Sequence, residues 1–227
     1  MNDFTIPSDL ITPHIDISQP HLQAILPYVK TLHFKKGELL VTQGKTDNNF
    51  YILQTGLLRN YVLNDGNEHT RWFAVPGDMV CSMASIARKL PSLFNIEAIE
   101  NSTVLSISKN DLLKVCAESP SFLQWLVNVL FDGFYLLEQS YRYLEQNDAM
   151  SRYLALDCHY VHDIISRIPL QYIASYIGVA PATLSRIRRK RVLEKEPKPR
   201  RCILAEMNSI HSDIHPFCRY TCLKRNV

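Results

Sequence analysis

The residues best suited to chemistry lie in segment 170–189, LQYIASYIGVAPATLSRIRR, whose spacing predicts two short helices joined by a sharp turn. Counted from Leu170, a small residue stands fifth (Ala174) and a glycine stands ninth (Gly178). A small side chain lets two helices cross closely, and glycine adopts turn conformations that bulkier residues resist. The pattern favours a helix-turn-helix over the alternative of an ordinary amphipathic hairpin. Apolar residues occupy the positions that would hold the two helices together, namely Ile173, Ile177, Val179, Leu184 and Ile187.

The second of these helices would expose side chains that suit a DNA duplex. Pro181 fits its first turn, where a missing backbone N–H costs nothing. Arg186 can donate two hydrogen bonds to O6 and N7 of guanine in the major groove. Hydroxyl groups and further cations on the same helix can bond phosphates or bases. The predicted DNA-contacting residues are Thr183, Ser185, Arg186, Arg188, Arg189 and Lys190.

Positive charge is concentrated at the end of this segment and directly after it. Residues 186–201 contain nine Lys or Arg and two Glu, which is +7 in a chain whose total is +3, so the rest carries −4. Such a block attracts a polyanion to one part of the molecule. A solvated basic tail is the alternative, and charge alone does not separate the two interpretations.

Apolar residues at alternating intervals of four and three begin shortly after Ser119. This heptad pattern predicts one continuous seam along a long helix, which Ser119 or Ser121 can cap. We expect two copies of the chain to pair through the seam, and the alternative is a long helix packed on its own domain. The expected interface residues are Leu123, Val127, Leu130, Phe134, Leu137, Tyr141 and Leu144.

The residues before this helix predict an antiparallel β unit. From about Leu32, short runs rich in Val, Ile, Leu, Phe and Tyr alternate with regularly spaced glycines. That punctuation suits strands and turns of a barrel or sandwich. A helical lead-in is expected over residues 1–30 and another helix from Asn147 to about His162, with Pro169 beginning the next segment. The turn glycines are Gly37, Gly44, Gly56, Gly66 and Gly77.

The chain is expected to be cytoplasmic. Its first ten residues, MNDFTIPSDL, have neither the basic cluster nor the apolar core of a secretory signal. The longest apolar stretch, 122–137, is interrupted by Gln124, Asn128 and Asp132, which argues against a membrane span. The six cysteines are scattered, and free thiols are the default in such a protein.

No catalytic or metal-binding set is expected. The predicted strands carry no histidine cluster, since His33 and His69 stand apart, and no Gly-rich phosphate loop is present. A cupin-like catalytic barrel therefore remains only a rival interpretation. Two groups have metal-ligating types without a recognised metal spacing, so no cofactor is expected. They are Cys158, His159 and His162, and the tail residues His211, His215, Cys218 and Cys222, among which Pro216 interrupts any helix.

Combined, these features resemble the Crp–Fnr family of bacterial transcription regulators, named after the cyclic AMP receptor protein and the fumarate–nitrate regulator. The resemblance covers about residues 20–190 and rests on the heptad helix, on IASYIGVAPATLSRIR and on the turn segments of the β unit. Those segments are Gly37-Glu38, Gly44, Tyr51-Ile52-Leu53, Gly56, Asp65-Gly66 and Pro76-Gly77-Asp78.

The resemblance implies an α+β fold in four parts. These are a β-roll sensor domain of the cyclic-nucleotide-binding type with its lead-in (1–118), a dimerisation helix (119–145), a helix-turn-helix (146–191) and a tail of unknown structure (192–227). It implies a sequence-specific regulator that binds double-stranded DNA as a homodimer on an inverted repeat. RNA polymerase and an unidentified small-molecule effector would be further partners. A sensing module without DNA contact is the rival, and it leaves the helix-turn-helix spacing unexplained.

Three departures from the family pattern narrow these expectations. Members that bind cyclic nucleotides carry Gly-Glu and then Arg with Ser or Thr after the Pro-Gly-Asp turn, whereas this chain has MVCSMASIARKLPSLFNIEAIE without a glycine. Oxygen sensors carry an N-terminal cysteine cluster for iron and sulfur, but the first cysteine here is Cys81. Pro181 and Ala182 replace the Arg and Glu of well-known recognition helices, so a different base sequence is expected.

Overall fold

The computed structural model describes residues 24–144, 148–159 and 162–193, and the architecture is α+β. The described chain divides into two compact units, on either side of the bond between Phe134 and Tyr135. The first unit contains all the described strands, and the second contains only helices. The antiparallel β unit expected in the N-terminal half is confirmed.

Eight strands form two four-stranded sheets in which every pairing is antiparallel. The first sheet has the order β1-β8-β3-β6, and the second has the order β2-β7-β4-β5. The strands are β1 (Lys30–Phe34), β2 (Leu39–Val41), β3 (Asn49–Thr55), β4 (Leu58–Asn64), β5 (Asn67–Ala74), β6 (Met79–Val80), β7 (Asn95–Ala98) and β8 (Ser102–Ser108).

The turns between these strands fall at the predicted glycines, all five of which have positive φ. The tightest connection is the pair Asp65-Gly66, which joins β4 to β5 with φ values of +49° and +76°. Two consecutive positive φ values are typical of a two-residue hairpin turn whose twist matches that of the strands. The turn also fixes the register, because Asn64 pairs directly with Asn67.

The core of the β-roll consists of side chains from both sheets. Leu53 and Val104 come from the first sheet, Leu58 and Ile96 come from the second, and all four are inaccessible to solvent. Because side chains alternate along a strand, one face of each sheet contributes to this core. The roll therefore has an apolar interior of the kind that sequence alternation predicted.

Seven α-helices lie within the described residues. They are α1 (Met83–Arg88), α2 (Lys109–Glu118), α3 (Pro120–Leu144), α4 (Ala149–His159), α5 (His162–Arg167), α6 (Leu170–Ile177) and α7 (Pro181–Leu193). The helix expected from Asn147 is thus present as α4, and Pro169 stands directly before α6. The helical lead-in lies mostly outside the described residues, which begin with one 3-10 turn, Leu26–Tyr28.

Among the described helices, none combines the length and the apolar character that a bilayer crossing requires.

Candidate functional site

Helices α6 and α7 are held together by the apolar residues that the spacing singled out. Ile173, Ala174 and Ile177 of α6 and Leu184 of α7 are fully or almost fully buried. The connection turns at Gly178, whose φ is +70°, and Val179 N–H donates to the carbonyl of Ala174 at 2.9 Å. The small side chain and the turn glycine therefore occupy the places that the sequence predicted for them.

The face of α7 that carries the predicted contact residues is open to solvent. The helix begins at Pro181, and the carbonyl of Ala180 accepts from the N–H groups of Thr183 and Leu184. Thr183 is partly exposed, whereas Ser185, Arg186, Arg189 and Lys190 are exposed. Five of the six predicted residues are thus accessible to a partner along one short helix. Arg188 differs from them because it is half-buried.

Helix α4 supports the α6–α7 pair through two neighbouring side chains. Arg152 Nε donates to the carbonyl of Ile177, the last residue of α6, at 2.8 Å. Tyr153 is buried, and the Cζ atom of Arg188 lies 5.7 Å from the centre of its ring. The sequence analysis missed both contacts, because a periodic pattern shows which face is apolar without showing which helix covers it.

Helix α3 has two apolar faces. Phe122, Trp125 and Leu126 are buried in a cluster with Leu112 and Val115 of α2. Ser119 caps the helix, since its Oγ accepts from the N–H of Phe122 at 3.3 Å. This face anchors the helix to the first unit without using any residue of the predicted seam.

The second face of α3 carries the predicted seam, and its described side chains reach solvent. Leu130 is 43% exposed and Phe134 is 70% exposed, while Leu123 and Leu137 are also exposed and Val127 is partly so. The side chains of Tyr141 and Leu144 lie outside the described set. Phe131, missed by the heptad count, is 68% exposed beside the seam. A single helix with this much uncovered apolar surface is suited to a partner.

The segment after the Pro-Gly-Asp turn folds upon itself. Ser82 caps α1, because its Oγ accepts from the N–H of Ser85, and both serines are buried. Ser85 Oγ donates to the carbonyl of Leu90 at 2.8 Å. Lys109 Nζ reaches in from α2 and donates to the carbonyl of Ile86 at 2.5 Å. The polar groups of this segment are thus bonded to one another and to α2.

An ion cluster lies on the second sheet, on the opposite face from Leu58 and the core. Arg59 is 1% exposed, forms ion pairs with Glu68 and with Glu97 (3.3 Å), and its guanidinium lies 4.1 Å from the centre of the Tyr61 ring. Burial raises the pKa of Glu97, and the charge of Arg59 offsets part of that rise. Sequence reasoning missed the cluster, because charged residues in a strand suggest a solvent-facing side.

The interior of the roll also holds one polar side chain that the sequence analysis did not single out. Asn60 is buried, and its register partners Trp72 and Ile96 both belong to the apolar core or pack against it. Its Nδ2 has no hydrogen-bond partner among the described residues. A buried amide donor without a partner costs free energy, which an acceptor brought by a ligand would recover.

Among the described residues, no group of three or more His, Cys, Asp or Glu is arranged to hold a metal ion. The tail group His211, His215, Cys218 and Cys222 lies outside the described residues, and so do the side chains of Cys158, His159 and His162.

Comparison with known proteins places this fold. Residues 31–119 match the family model of the cyclic nucleotide-binding domain. FixK2 from Bradyrhizobium japonicum is 18% identical with a TM-score of 0.61, over 74% of this chain and 86% of that one. The c-di-GMP-responsive global regulator CLP from Xanthomonas campestris is 14% identical with a TM-score of 0.63, over 78% and 93%.

A variant of CooA from Carboxydothermus hydrogenoformans is 19% identical with a TM-score of 0.62, over 85% of this chain and 86% of that one. No curated protein sequence matches the chain. The structural neighbours are regulators rather than enzymes. Residues 31–119 therefore form a cyclic nucleotide-binding-like domain, and the resemblance to the Crp–Fnr family inferred from the sequence is confirmed by the fold.

Proposed function

We propose that this chain is a sequence-specific DNA-binding transcription regulator of the Crp–Fnr type that acts as a homodimer on an inverted-repeat operator. The observation that carries the proposal is the exposed face of α7, which begins directly after the Gly178 turn and presents Arg186 among further hydroxyls and cations. A helix of this kind fits the major groove of B-form DNA, where base edges are distinguishable.

Two kinds of contact divide the work on this face. Arg186 would read a base, because a guanidinium can donate two parallel hydrogen bonds to guanine. Arg189 and Lys190 would neutralise phosphates, which adds affinity without sequence preference. Thr183 and Ser185 would bond phosphates or bases near the start of the helix. Arg188 is treated separately below.

The seam on α3 would pair two copies of the chain. Two-fold symmetry places the same surface on both sides of the interface, as an exposed leucine-rich stripe requires. A leucine fully removed from water contributes about 1.5–3 kcal/mol. The pairing would set two copies of α7 about 34 Å apart, on half-sites separated by one turn of the duplex.

The remaining assignments follow from this proposal. The β-roll with its lead-in (1–118) would be the sensor, 119–145 the dimerisation helix and 146–191 the DNA-binding domain, inside the cytoplasm. RNA polymerase would be a partner on DNA, and no membrane and no catalytic step would take part. An effector would change DNA affinity only by favouring one dimer geometry over another.

Cyclic AMP is not the effector that we propose. The segment after the turn, where cyclic-nucleotide-binding relatives carry their Gly-Glu and Arg, has its serines bonded within α1 and to Leu90. Asn60 offers a buried donor in an otherwise apolar roll. Both observations favour an effector that carries an acceptor group without a charged phosphate.

The test is a selection of DNA fragments by the purified full-length chain from a random duplex library, followed by sequencing. The proposal predicts enrichment of one inverted repeat whose half-sites lie about one helical turn apart. A library that returns without any enriched sequence would overturn the proposal. A chain with its α7 contacts removed, Arg186→Ala combined with Lys190→Ala, is the matched control.

A further inference from the structure

Helix α4 contacts both helices of the candidate DNA-binding pair, one on each side of the Gly178 turn. Arg152 bonds the carbonyl of Ile177, where α6 ends. The next residue, Tyr153, is 5% exposed and has the guanidinium of Arg188 over its ring. Two consecutive residues of one helix thereby touch the helices whose crossing fixes the direction of α7.

The angular positions on α7 separate Arg188 from the other cations. A residue advances by about 100° around a helix, so side chains three and four positions apart share a face while those two apart point in opposite directions. Arg186, Arg189 and Lys190 share the exposed face. Arg188 lies four residues after Leu184, which is fully buried, and therefore belongs to the face turned toward the protein.

The surroundings of Arg188 agree with this position. Its side chain is half-buried, and its Nε is shielded from solvent without a hydrogen-bond partner among the described residues. The next two residues, Arg189 and Lys190, are exposed. A guanidinium held over an aromatic face is attracted by the negative face of the ring, and this attraction grows as water is removed.

We propose that Arg188 is a positioning residue, which holds α7 against α4 through Tyr153 and thereby sets the direction of Arg186, and that it does not neutralise a DNA phosphate. The inference rests on the proposed DNA-binding function and differs from the assignment that the basic run of the sequence suggested. It divides neighbouring arginines into two roles, because Arg189 meets the duplex whereas Arg188 meets Tyr153.

The experiment uses full-length protein, the duplex that it selects from a random library and a scrambled duplex of equal length. Arg188→Gln and Tyr153→Leu should each weaken binding to the selected duplex roughly two- to fivefold, the range of a cation–π contact. The double variant should bind no more weakly than the weaker single variant, because both changes break one contact. Tyr153→Phe keeps the ring and should bind as the parent does.

The salt dependence separates positioning from phosphate contact. Arg188→Gln should leave the slope of log affinity against log salt unchanged, and it should leave binding to the scrambled duplex unchanged. Arg189→Gln, the matched control one residue away, should reduce the slope by about 0.9 and weaken both duplexes. A slope reduced by about one unit in Arg188→Gln would overturn the inference, and so would additive losses in the double variant.

Thermal unfolding of the same four proteins keeps the inference testable without DNA. Arg188→Gln and Tyr153→Leu should lower the midpoint by coupled amounts, whereas Arg189→Gln should show no coupling to Tyr153→Leu. Absence of coupling between Arg188 and Tyr153 would contradict the contact itself. A parent protein that prefers no duplex would instead overturn the DNA-binding function, while the unfolding cycle would still decide the contact.

Discussion

At the scale of single residues, Gly56 lies between β3 and β4 with a φ of +99°, close against β8. A Cβ atom added there would stand 2.1 Å from Ser102 Oγ and 2.7 Å from Ser102 Cα. Gly66 is a matched control, because its φ is +76° but its surroundings are open. Gly66→Ala should lower the free energy of unfolding by about 1–2 kcal/mol through backbone strain alone.

Gly56→Ala should lower it by about 1–3 kcal/mol more, because the backbone of β8 must also shift. Chemical denaturation followed by the fluorescence of Trp72, which packs against the core of the roll, measures both variants. Equal losses in the two variants would contradict the close approach of Gly56 to Ser102.

The ion cluster around Arg59 predicts a pH dependence. Burial raises the pKa of Glu97 above its ordinary value of 4.5. A carboxyl whose pKa is higher in the folded state contributes stability that is complete below the unfolded pKa and is lost as pH rises through the folded pKa. Glu97→Gln is neutral at every pH and should lack this loss.

The free energy of unfolding of Glu97→Gln, measured relative to that of the parent, should therefore rise between about pH 4 and pH 7. The comparison with the parent cancels the opposite trend from Asp111 and Asp148, whose pKa values are lowered by hydrogen bonds. A difference that stays constant or falls over this range would contradict a raised pKa.

At the scale of elements, the seam of α3 predicts the assembly state. Leu130→Asp combined with Leu137→Asp would place charges inside the proposed interface, where burying them without partners is costly. The double variant should sediment as a monomer. Leu113→Asp is the matched control, because Leu113 is equally exposed on α2 outside the seam, and that variant should remain a dimer. An unchanged dimer in the double variant would contradict the seam.

The segment from β6 to β7 predicts the response to cyclic AMP. Calorimetry should detect negligible binding to the full-length chain, because the phosphate-holding residues of the family are missing after Asp78. Micromolar or tighter binding would contradict this interpretation of α1 and the loop that follows it. Asn60→Leu provides a second measurement: it should stabilise the free roll or leave it unchanged, because it removes a buried donor without a partner.

At the scale of the whole molecule, the sequence predicted those features that repeat at short range. The glycine turns, the heptad spacing of α3 and the apolar positions of the α6–α7 pair depend on local backbone geometry and periodicity, so each is visible in a short window. The exposed face of α7 followed from the same periodicity, with Thr183 half-covered.

The features that escaped prediction depend on contacts between distant segments. Arg59 is buried because Glu68 and Glu97 approach it from two other strands, and Arg188 is half-buried beside Tyr153 of α4. Both residues carry a charge, so their local sequence suggested solvent. The anchoring face of α3 was missed for a related reason, since the regular seam obscured Phe122, Trp125 and Leu126 on the other side.

The most direct test of the account is a competition titration with matched and scrambled duplexes at several salt concentrations. Arg186→Ala should weaken binding to the matched duplex by about 1–3 kcal/mol per half-site and relax the preference at one base pair. Lys190→Ala should weaken both duplexes alike and reduce the salt slope by about one unit per lost contact. A parent chain that binds matched and scrambled duplexes equally would contradict the proposal that it is a sequence-specific regulator.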